Sequence, residues 1–99
     1  MAQVIWTEPA LDDLVQIAEY IALSNVNAAK SLVRKVFDKV DRLKAHPESG
    51  KIPDELKEFG YLEVVVAPCR IFYKYEAEEV FVLHVMRQER DLRKYLIDS

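Results

Sequence analysis

The feature that most constrains the fold is a group of three apolar runs between residues 61 and 91. The runs are rich in Val, Ile, Phe and Tyr, and only two short breaks, at 67–68 and at 76–79, separate them. Runs of β-branched and aromatic residues with breaks this short are typical of strands joined by tight turns. The stretch therefore predicts an antiparallel meander of three strands.

The residues before the meander predict a strand and then an amphipathic helix. A short apolar run at 3–6 indicates the strand. Thr7 is placed to cap a helix that has Pro9 in its first turn. Apolar residues then recur at helical spacing, which predicts a helix that ends near Leu23.

A second and longer helix is predicted over residues 28–45, where apolar residues again recur at helical spacing. In the connector before it, we expect Asn25 to adopt a left-handed backbone conformation and Asn27 to cap the helix. Because the connector is short, the two helices should be antiparallel neighbours. Residues 51–60 are polar and predict a loop with room for one helical turn.

These elements predict an α+β fold: an N-terminal strand and an antiparallel two-helix hairpin packed on a twisted antiparallel β-sheet, with a short C-terminal helix near 90–97. Simple alternation along the last strand places Val80, Val82, His84 and Met86 on one side, and Phe81, Leu83 and Val85 on the other. Both sides of the strands are apolar, and a helical hairpin covers only one. We therefore expect the second side to remain exposed, which is typical of a partner surface.

The composition predicts one globular domain over residues 1–99 and narrows the classes of function. The net charge is −3 and the pI is about 5.4. Nucleic-acid-binding domains are more often basic, so we expect no sequence-specific DNA binding by this chain alone. The one cysteine, Cys69, excludes an intrachain disulfide and fits a cytoplasmic location. No apolar run is long enough to span a bilayer, and no signal peptide is visible.

The second helix carries an excess of positive charge. Residues 28–44 contain six Lys or Arg against two Asp. Such a helix is either a nucleic-acid surface or a solvated face supported by local ion pairs, as between Arg34 and Asp38.

No metal or cofactor site is expected from the sequence. His46, His84 and Cys69 lack the spacing of a metal site, which usually takes three or four ligands. The two glycines, Gly50 and Gly60, do not form a phosphate-binding loop. His84 is instead interpreted as a core or partner-facing residue of its strand, and Cys69 as a small packed residue.

Short segments spread along almost the whole chain resemble one known family. In chain order they are residues 7–10, 13–14, 17–21, 28–29, 43–50, 61–66, 68–73, 82–85 and 90–92. Their order and spacing resemble the ParE toxins of bacterial toxin–antitoxin modules, within the wider RelE/ParE superfamily.

The resemblance implies a function as well as a fold. It implies the toxin of a type II toxin–antitoxin module of the plasmid-stabilisation kind, held in a hetero-oligomer by a ParD-like antitoxin. ParE-like toxins poison DNA gyrase, whereas RelE-like relatives cut mRNA on the ribosome. We expect gyrase inhibition by protein contact, with a ribosome-dependent mRNA endonuclease as the alternative. A third reading is a module that keeps only antitoxin binding.

The resemblance also singles out candidate catalytic residues for the nuclease alternative. They are Arg70, which in nuclease relatives stabilises charge on the reacting phosphate, together with Arg87, Lys74 and Tyr95. The alternative for Arg70 is an ion pair with Glu63 across the sheet. Two family positions do not align cleanly, because the tyrosine falls nearest Lys94 and a second arginine falls on Gln88, so a full nuclease set is not visible.

The residues expected to contact an antitoxin or a target lie mainly at the C-terminal end. They are Arg70, Arg87, Arg90, Leu92, Tyr95 and Leu96. Basic residues at 87, 90, 93 and 94 face only two acidic residues. Cations near a helix start are disfavoured by its dipole, so we hypothesise that Arg87 and Arg90 serve an anionic partner surface. We expect the exposed sheet side and the groove beside the hairpin to take an amphipathic antitoxin segment, as a helix or an added strand.

Overall fold

The computed structural model describes residues 1–89, apart from the side chains of Glu55 and Leu56. The elements in chain order are β1 (Gln3–Trp6), α1 (Glu8–Ala22), α2 (Val26–Asp41), two 3₁₀ segments (Arg42–Lys44 and Asp54–Phe59), β2 (Leu62–Val66), β3 (Cys69–Glu76) and β4 (Glu79–Arg87). The α+β class, the helical hairpin and the three-stranded meander are confirmed. The predicted C-terminal helix at 90–97 lies outside the described residues.

The predicted cap of α1 is present and also joins the helix to the sheet. The Thr7 hydroxyl accepts a hydrogen bond from the Ala10 N–H at 3.4 Å and donates one to the Val82 carbonyl at 2.7 Å. Pro9 lies in the first turn, where its missing N–H costs nothing. One side chain therefore fixes both the start of α1 and its position on β4.

The cap of α2 differs from the prediction. Asn25, not Asn27, caps the helix: its backbone is extended, with φ −158°, and its side chain accepts from the Ala28 N–H at 3.0 Å. The left-handed conformation expected for Asn25 is thus wrong, because the Asn25 N–H already closes α1 on the Ile21 carbonyl and the chain turns at once into α2.

The α2 helix ends earlier than the sequence predicts. The helix ends at Asp41, and a 3₁₀ segment takes the chain to Lys44. The Ala45 N–H bonds to the Arg42 carbonyl, three residues back. This tightening comes just before His46, which precedes a proline and is therefore disfavoured in helical conformation.

The four strands form one sheet in the order β1-β4-β3-β2. The meander pairs are antiparallel, as predicted, but β1 joins β4 in parallel, so the sheet is mixed rather than wholly antiparallel. The helices pack on one side of this sheet, here called the helix side; the opposite side is the outer side. The core on the helix side contains Ala10, Leu14, Leu32, Val36, Val40, Leu43, Val64, Cys69, Ile71, Tyr73, Val80, Val82 and Val85.

A bulge in β4 overturns the predicted alternation of its side chains. Tyr73 pairs with Val82 but Phe72 pairs with His84, so Leu83 is left without an opposite residue. One extra residue moves every later side chain to the other side of the sheet. His84 and Met86 therefore lie on the outer side, not beside Val82, while Val85 packs into the core.

The outer side is less exposed than the sequence predicts. Phe72 is fully buried and Met86 is only 3% exposed, whereas Val65 is exposed. Part of the reason is that long cationic side chains lie over aromatic rings here. The Arg70 guanidinium carbon is 4.8 Å from the Phe72 ring centroid, and a similar contact joins Lys74 to Tyr61. The exposed, partly apolar side that the sequence predicts is thus found only in part among residues 1–89.

Within the described part of the chain, no helix is both long enough and apolar enough to cross a membrane.

Candidate functional site

Arg70 is held by a two-pronged ion pair on the outer side of the sheet. Its Nε donates to Glu63 Oε2 at 2.8 Å and its Nη2 donates to Glu63 Oε1 at 3.3 Å. The side chains of Arg70 and Glu63 are only 13% and 3% exposed. Charge-assisted pairs with this fork geometry are strong and directional. The ion pair with Glu63, which the sequence offered as the alternative role of Arg70, is therefore present.

The register of β2 on β3 creates this pair. Val65 lies opposite Arg70 and Glu63 lies opposite Phe72, so Arg70 and Glu63 are diagonal neighbours on one side of the sheet. The backbone of Glu63 is also fixed, because it exchanges two hydrogen bonds with Lys51, at 2.8 and 3.0 Å. The carboxylate that orients Arg70 thus stands on a rigid base.

Arg87 lies on the opposite side of the sheet from Arg70. It pairs with the core residue Cys69, because the bulge has shifted the alternation of β4. Its guanidinium carbon is 5.1 Å from the Tyr20 ring centroid of α1, and its Nε is 2.9 Å from Glu89 Oε1. The side chain is about 40% exposed, so a partner can reach it.

The structure therefore brings together only part of the predicted set. Lys74 shares the outer side with Arg70, and its amine is 5.1 Å from the Tyr61 ring centroid. Arg87 points away from both. The remaining candidates, Arg90, Leu92, Tyr95 and Leu96, lie outside residues 1–89.

Tyr73 is a residue whose role the sequence did not reveal. Its hydroxyl donates to the Pro47 carbonyl at 2.9 Å and accepts from the Gly50 N–H at 2.9 Å. Burial raises the pKa of this phenol, and the Gly50 N–H acts in the opposite direction. A Cβ at Gly50 would lie 2.6 Å from the Tyr73 hydroxyl and 2.7 Å from the Glu63 carbonyl. Only glycine fits here, so the matching segment 43–50 contained the signal for this contact.

Asp13 is a second residue that the sequence did not single out for this role. β1 covers β4 only as far as Val82, so the next part of β4 has its β1-facing edge open. Asp13 Oδ2 accepts from the Val85 N–H at 3.1 Å and lies 3.6 Å from His84 Nδ1. The carboxylate thereby takes the place of a strand partner just after the bulge.

Cys69 is a packed residue, in agreement with the sequence. It is fully buried, and burial raises the pKa of its thiol, with Arg87 acting in the opposite direction. A raised pKa keeps the less reactive thiol form at neutral pH. Among residues 1–89, no group of three or more potential ligands is arranged to hold a metal ion.

Comparisons with known proteins agree with this architecture. Residues 4–92 match the model of the family described as the ParE toxin of the type II toxin–antitoxin system parDE. A curated relative, Toxin RelE2 of Caulobacter vibrioides, is 32% identical over 87 residues, which cover 88% of this chain and 92% of the relative.

Solved structures with a similar fold are more distant in sequence. A chain of the chromosomal ParDE system of P. aeruginosa has a TM-score of 0.74 at 22% identity, and the match covers 90% of this chain and 98% of that one. A chain of the RelBE2 toxin–antitoxin complex of Mycobacterium tuberculosis has a TM-score of 0.57 at 20% identity, over 88% of this chain and 98% of that one. At these identities the likeness establishes the fold.

Proposed function

Because this chain belongs to the ParE toxin family of type II toxin–antitoxin systems, we propose that it acts by protein contact on DNA gyrase and that a ParD-like antitoxin neutralises it. In this proposal the chain performs no bond-breaking chemistry of its own. The complex with the antitoxin is a hetero-oligomer in the cytoplasm, where a single buried free thiol is stable.

The separation of the two arginines is the observation that supports gyrase inhibition over RNA cleavage. Cleavage of a phosphodiester needs cations and an acid–base pair that converge on one phosphate. Here the Arg70 guanidinium is engaged by Glu63 on the outer side, and Arg87 lies on the helix side beside Tyr20. An arrangement of this kind suits contacts to a protein surface better than charge stabilisation at one phosphorus atom.

The relative named Toxin RelE2 favours a second candidate, a RelE-type ribosome-dependent mRNA endonuclease. In that case Arg70 would have to leave Glu63 when mRNA binds, and Lys74, Arg87 and Tyr95 would have to complete the site. Both candidates share the antitoxin partner; they differ in the target and in whether the chain cuts RNA.

The antitoxin proposal is supported by apolar side chains that the fold leaves uncovered on the helical hairpin. The exposed ones are Leu11, Val15, Tyr20, Leu23, Val26 and Phe37. Phe37 also contacts Trp6 at the end of β1, with 4.8 Å between ring centroids. Exposed apolar side chains concentrated on one helical hairpin are typical of a binding face for an amphipathic segment.

Expression without antitoxin, followed by two biochemical assays, tests the target. We expect purified gyrase to give cleaved DNA when this chain is added, and we expect mRNA in a translating extract to stay intact. The test variant combines Arg70→Ala with Arg87→Ala. The control variant combines Lys30→Ala with Arg34→Ala and removes the same number of positive charges elsewhere. If the wild type cuts mRNA on the ribosome and the Arg70/Arg87 variant does not, the gyrase proposal is wrong and the endonuclease is the function.

A further inference from the structure

A groove between α2 and the edge strand β2 combines positive charge with an open strand edge. Its volume is about 240 Å³, and it is lined by Lys35, Asp38, Lys39, Arg42, Val65 and Val66. Neither the gyrase proposal nor the arginines of the outer side use this groove.

The positive charges of the groove form no ion pairs with the residues that the structure describes. Lys35 and Lys39 of α2 are followed at helical spacing by Arg42, the first residue of the 3₁₀ segment, so the three cations form a row that lines the groove beside β2. Among residues 1–89, none of these three side chains makes an ion pair, and the expected Arg34–Asp38 pair is not formed either. The row is therefore a surface with an excess of two positive charges over Asp38.

The strand beside this row has backbone groups available for pairing. Glu63 directs its N–H and C=O away from β3, where they bond to Lys51. Because main-chain direction alternates with a period of two, Val65 directs its N–H and C=O to the same open edge. No backbone bond from another element reaches Val65 there within the described chain, and its side chain is 41% exposed.

The lengths of the two features match. Lys35 and Arg42 are seven helical residues apart, or about 10 Å along the axis. Three residues of an extended strand span about the same distance. An extended segment that pairs with Val65 is therefore long enough to reach all three cations, which line the same groove as Val65.

We propose that this groove binds an extended, acidic segment of the antitoxin, which adds a strand to β2 at Val65 and directs carboxylates to Lys35, Lys39 and Arg42. The assignment rests on the proposed function, because it names the part of the antitoxin that this surface takes. Backbone pairing supplies affinity without regard to sequence, and the cation row selects acidic side chains.

The strand edge is what favours a peptide over a nucleic acid. Phosphates would satisfy the three cations equally well and would accept a hydrogen bond from the Val65 N–H, but an ionised phosphate has no donor for the Val65 C=O, so it does not reproduce the paired bonds of a strand. Val65 and Val66 also add apolar surface to the groove, and the chain as a whole is acidic, with a net charge of −3. A nucleic-acid surface would more often lie on a basic protein.

The first test compares two charge reversals on the same helix. Lys39→Glu with Arg42→Glu alters the groove, whereas Lys30→Glu with Arg34→Glu alters exposed positions outside its lining; each pair takes the net charge from −3 to −7. The probe is the purified product of the gene adjacent to this one. We expect the groove pair to weaken binding at least about tenfold at low salt and to flatten its salt dependence, and we expect the control pair to leave both nearly unchanged.

The second test addresses the backbone. Val65→Pro removes the outward N–H and is tolerated at a strand edge, while Val65→Ala keeps the N–H and loses only side-chain surface. We expect the proline variant to bind more weakly than the alanine variant, and the Val65 amide of the wild type to exchange with deuterium more slowly in the complex. Thermal unfolding of each variant confirms that it is folded.

Each outcome decides between the proposals. If both charge reversals weaken binding equally, or if neither does, the groove assignment is wrong while the antitoxin partnership stands. If the adjacent gene product does not bind the wild type at all, the proposed function fails and the groove assignment fails with it. If the groove pair loses binding to a single-stranded RNA oligonucleotide but keeps binding to the protein probe, the groove is a nucleic-acid surface.

Discussion

At the residue scale, the outer side depends on the ion pair between Arg70 and Glu63. A carboxylate that is 3% exposed is stabilised because the Arg70 guanidinium replaces its water. Removal of one partner leaves a buried charge without compensation, whereas replacement of both by apolar residues of similar size removes the need for it.

Glu63→Ala should therefore lower the free energy of unfolding by about 3–5 kcal/mol, as expected for one half of a buried pair. Glu63→Leu combined with Arg70→Met should cost much less than the sum of the single changes. Denaturant titration of the wild type, Glu63→Leu, Arg70→Met and the double variant measures the coupling, with Glu58→Ala as an exposed control. Additive effects would show that the two side chains act independently.

Gly50 and Tyr73 form a second residue-scale contact. Gly50→Ala should destabilise the protein by about 1–3 kcal/mol, because a Cβ there meets the Tyr73 hydroxyl at 2.6 Å. Combination with Tyr73→Phe should relieve part of that cost, since the closest atom is then gone. Gly60→Ala is the control: its φ of +73° gives strain of about 1 kcal/mol, but the space around it is open. If Tyr73→Phe changes the free energy of unfolding equally in the Gly50→Ala and Gly60→Ala proteins, the contact between Gly50 and Tyr73 is not what limits the side chain at position 50.

The phenol of Tyr73 also gives stability a pH dependence. Burial raises its pKa above the ordinary value of 10.0, so the folded state holds the proton more tightly than the unfolded chain. This contribution is complete below the unfolded pKa and is lost as the pH rises through the folded pKa. We expect the wild type to lose stability above about pH 10 more steeply than Tyr73→Phe, as measured by denaturant midpoints.

At the element scale, the bulge in β4 decides which side chains share a side of the sheet. It moves His84 and Met86 to the outer side and directs Arg87 towards α1. Asp13 stabilises this arrangement from the neighbouring helix, because it accepts the Val85 N–H that no strand covers. A polar group on α1 is therefore part of the sheet.

Asp13→Ala should cost about 1–3 kcal/mol, because it leaves a partly buried N–H of β4 without that acceptor. Asp13→Asn keeps a carbonyl oxygen and should cost less. Asp12→Ala, one residue earlier and exposed, should stay within about 0.5 kcal/mol of the wild type. Hydrogen exchange at Val85 checks the mechanism: unchanged protection of that amide in Asp13→Ala would show that Asp13 does not hold the bulge.

At the scale of the whole molecule, the core and the proposed binding surfaces lie in different parts of the chain. The core cluster is built from residues between Ala2 and Val85. The basic residues expected to contact a partner continue beyond Arg87, into the segment outside the described residues. Folding and toxicity should therefore respond differently to changes at the C-terminal end.

Truncation after Asp91 should reduce toxicity more than it reduces stability, because it removes Leu92, Tyr95 and Leu96 but leaves the described core intact. Arg87→Glu with Arg90→Glu should weaken antitoxin binding in a salt-sensitive way. Growth assays and melting temperatures measure the toxicity and the stability of the truncated chain. Calorimetry at two salt concentrations measures antitoxin binding by the charge-reversed variant. A truncated chain that no longer folds would show that the segment is structural.

The sequence by itself determined the elements and their order. A period of 3.6 in apolar residues indicates the helices, and runs of β-branched and aromatic residues indicate the strands. Thr7 and Pro9 mark the start of α1 by local chemistry. The ion pair of Arg70 was also among the alternatives, because both residues lie in neighbouring predicted strands. The family resemblance rested on the same local segments, and the match over residues 4–92 bears it out.

Only the tertiary structure decided which side each functional residue takes. A bulge is one extra residue between paired strands, and nothing near Leu83 in the sequence distinguishes it from an ordinary strand position. Its effect is not local, since it reverses the side of every residue that follows and so separates Arg87 from Arg70. The fit of Gly50 against Tyr73 and the support of Val85 by Asp13 likewise join segments far apart in the chain, and register between such segments is set by packing rather than by local pattern.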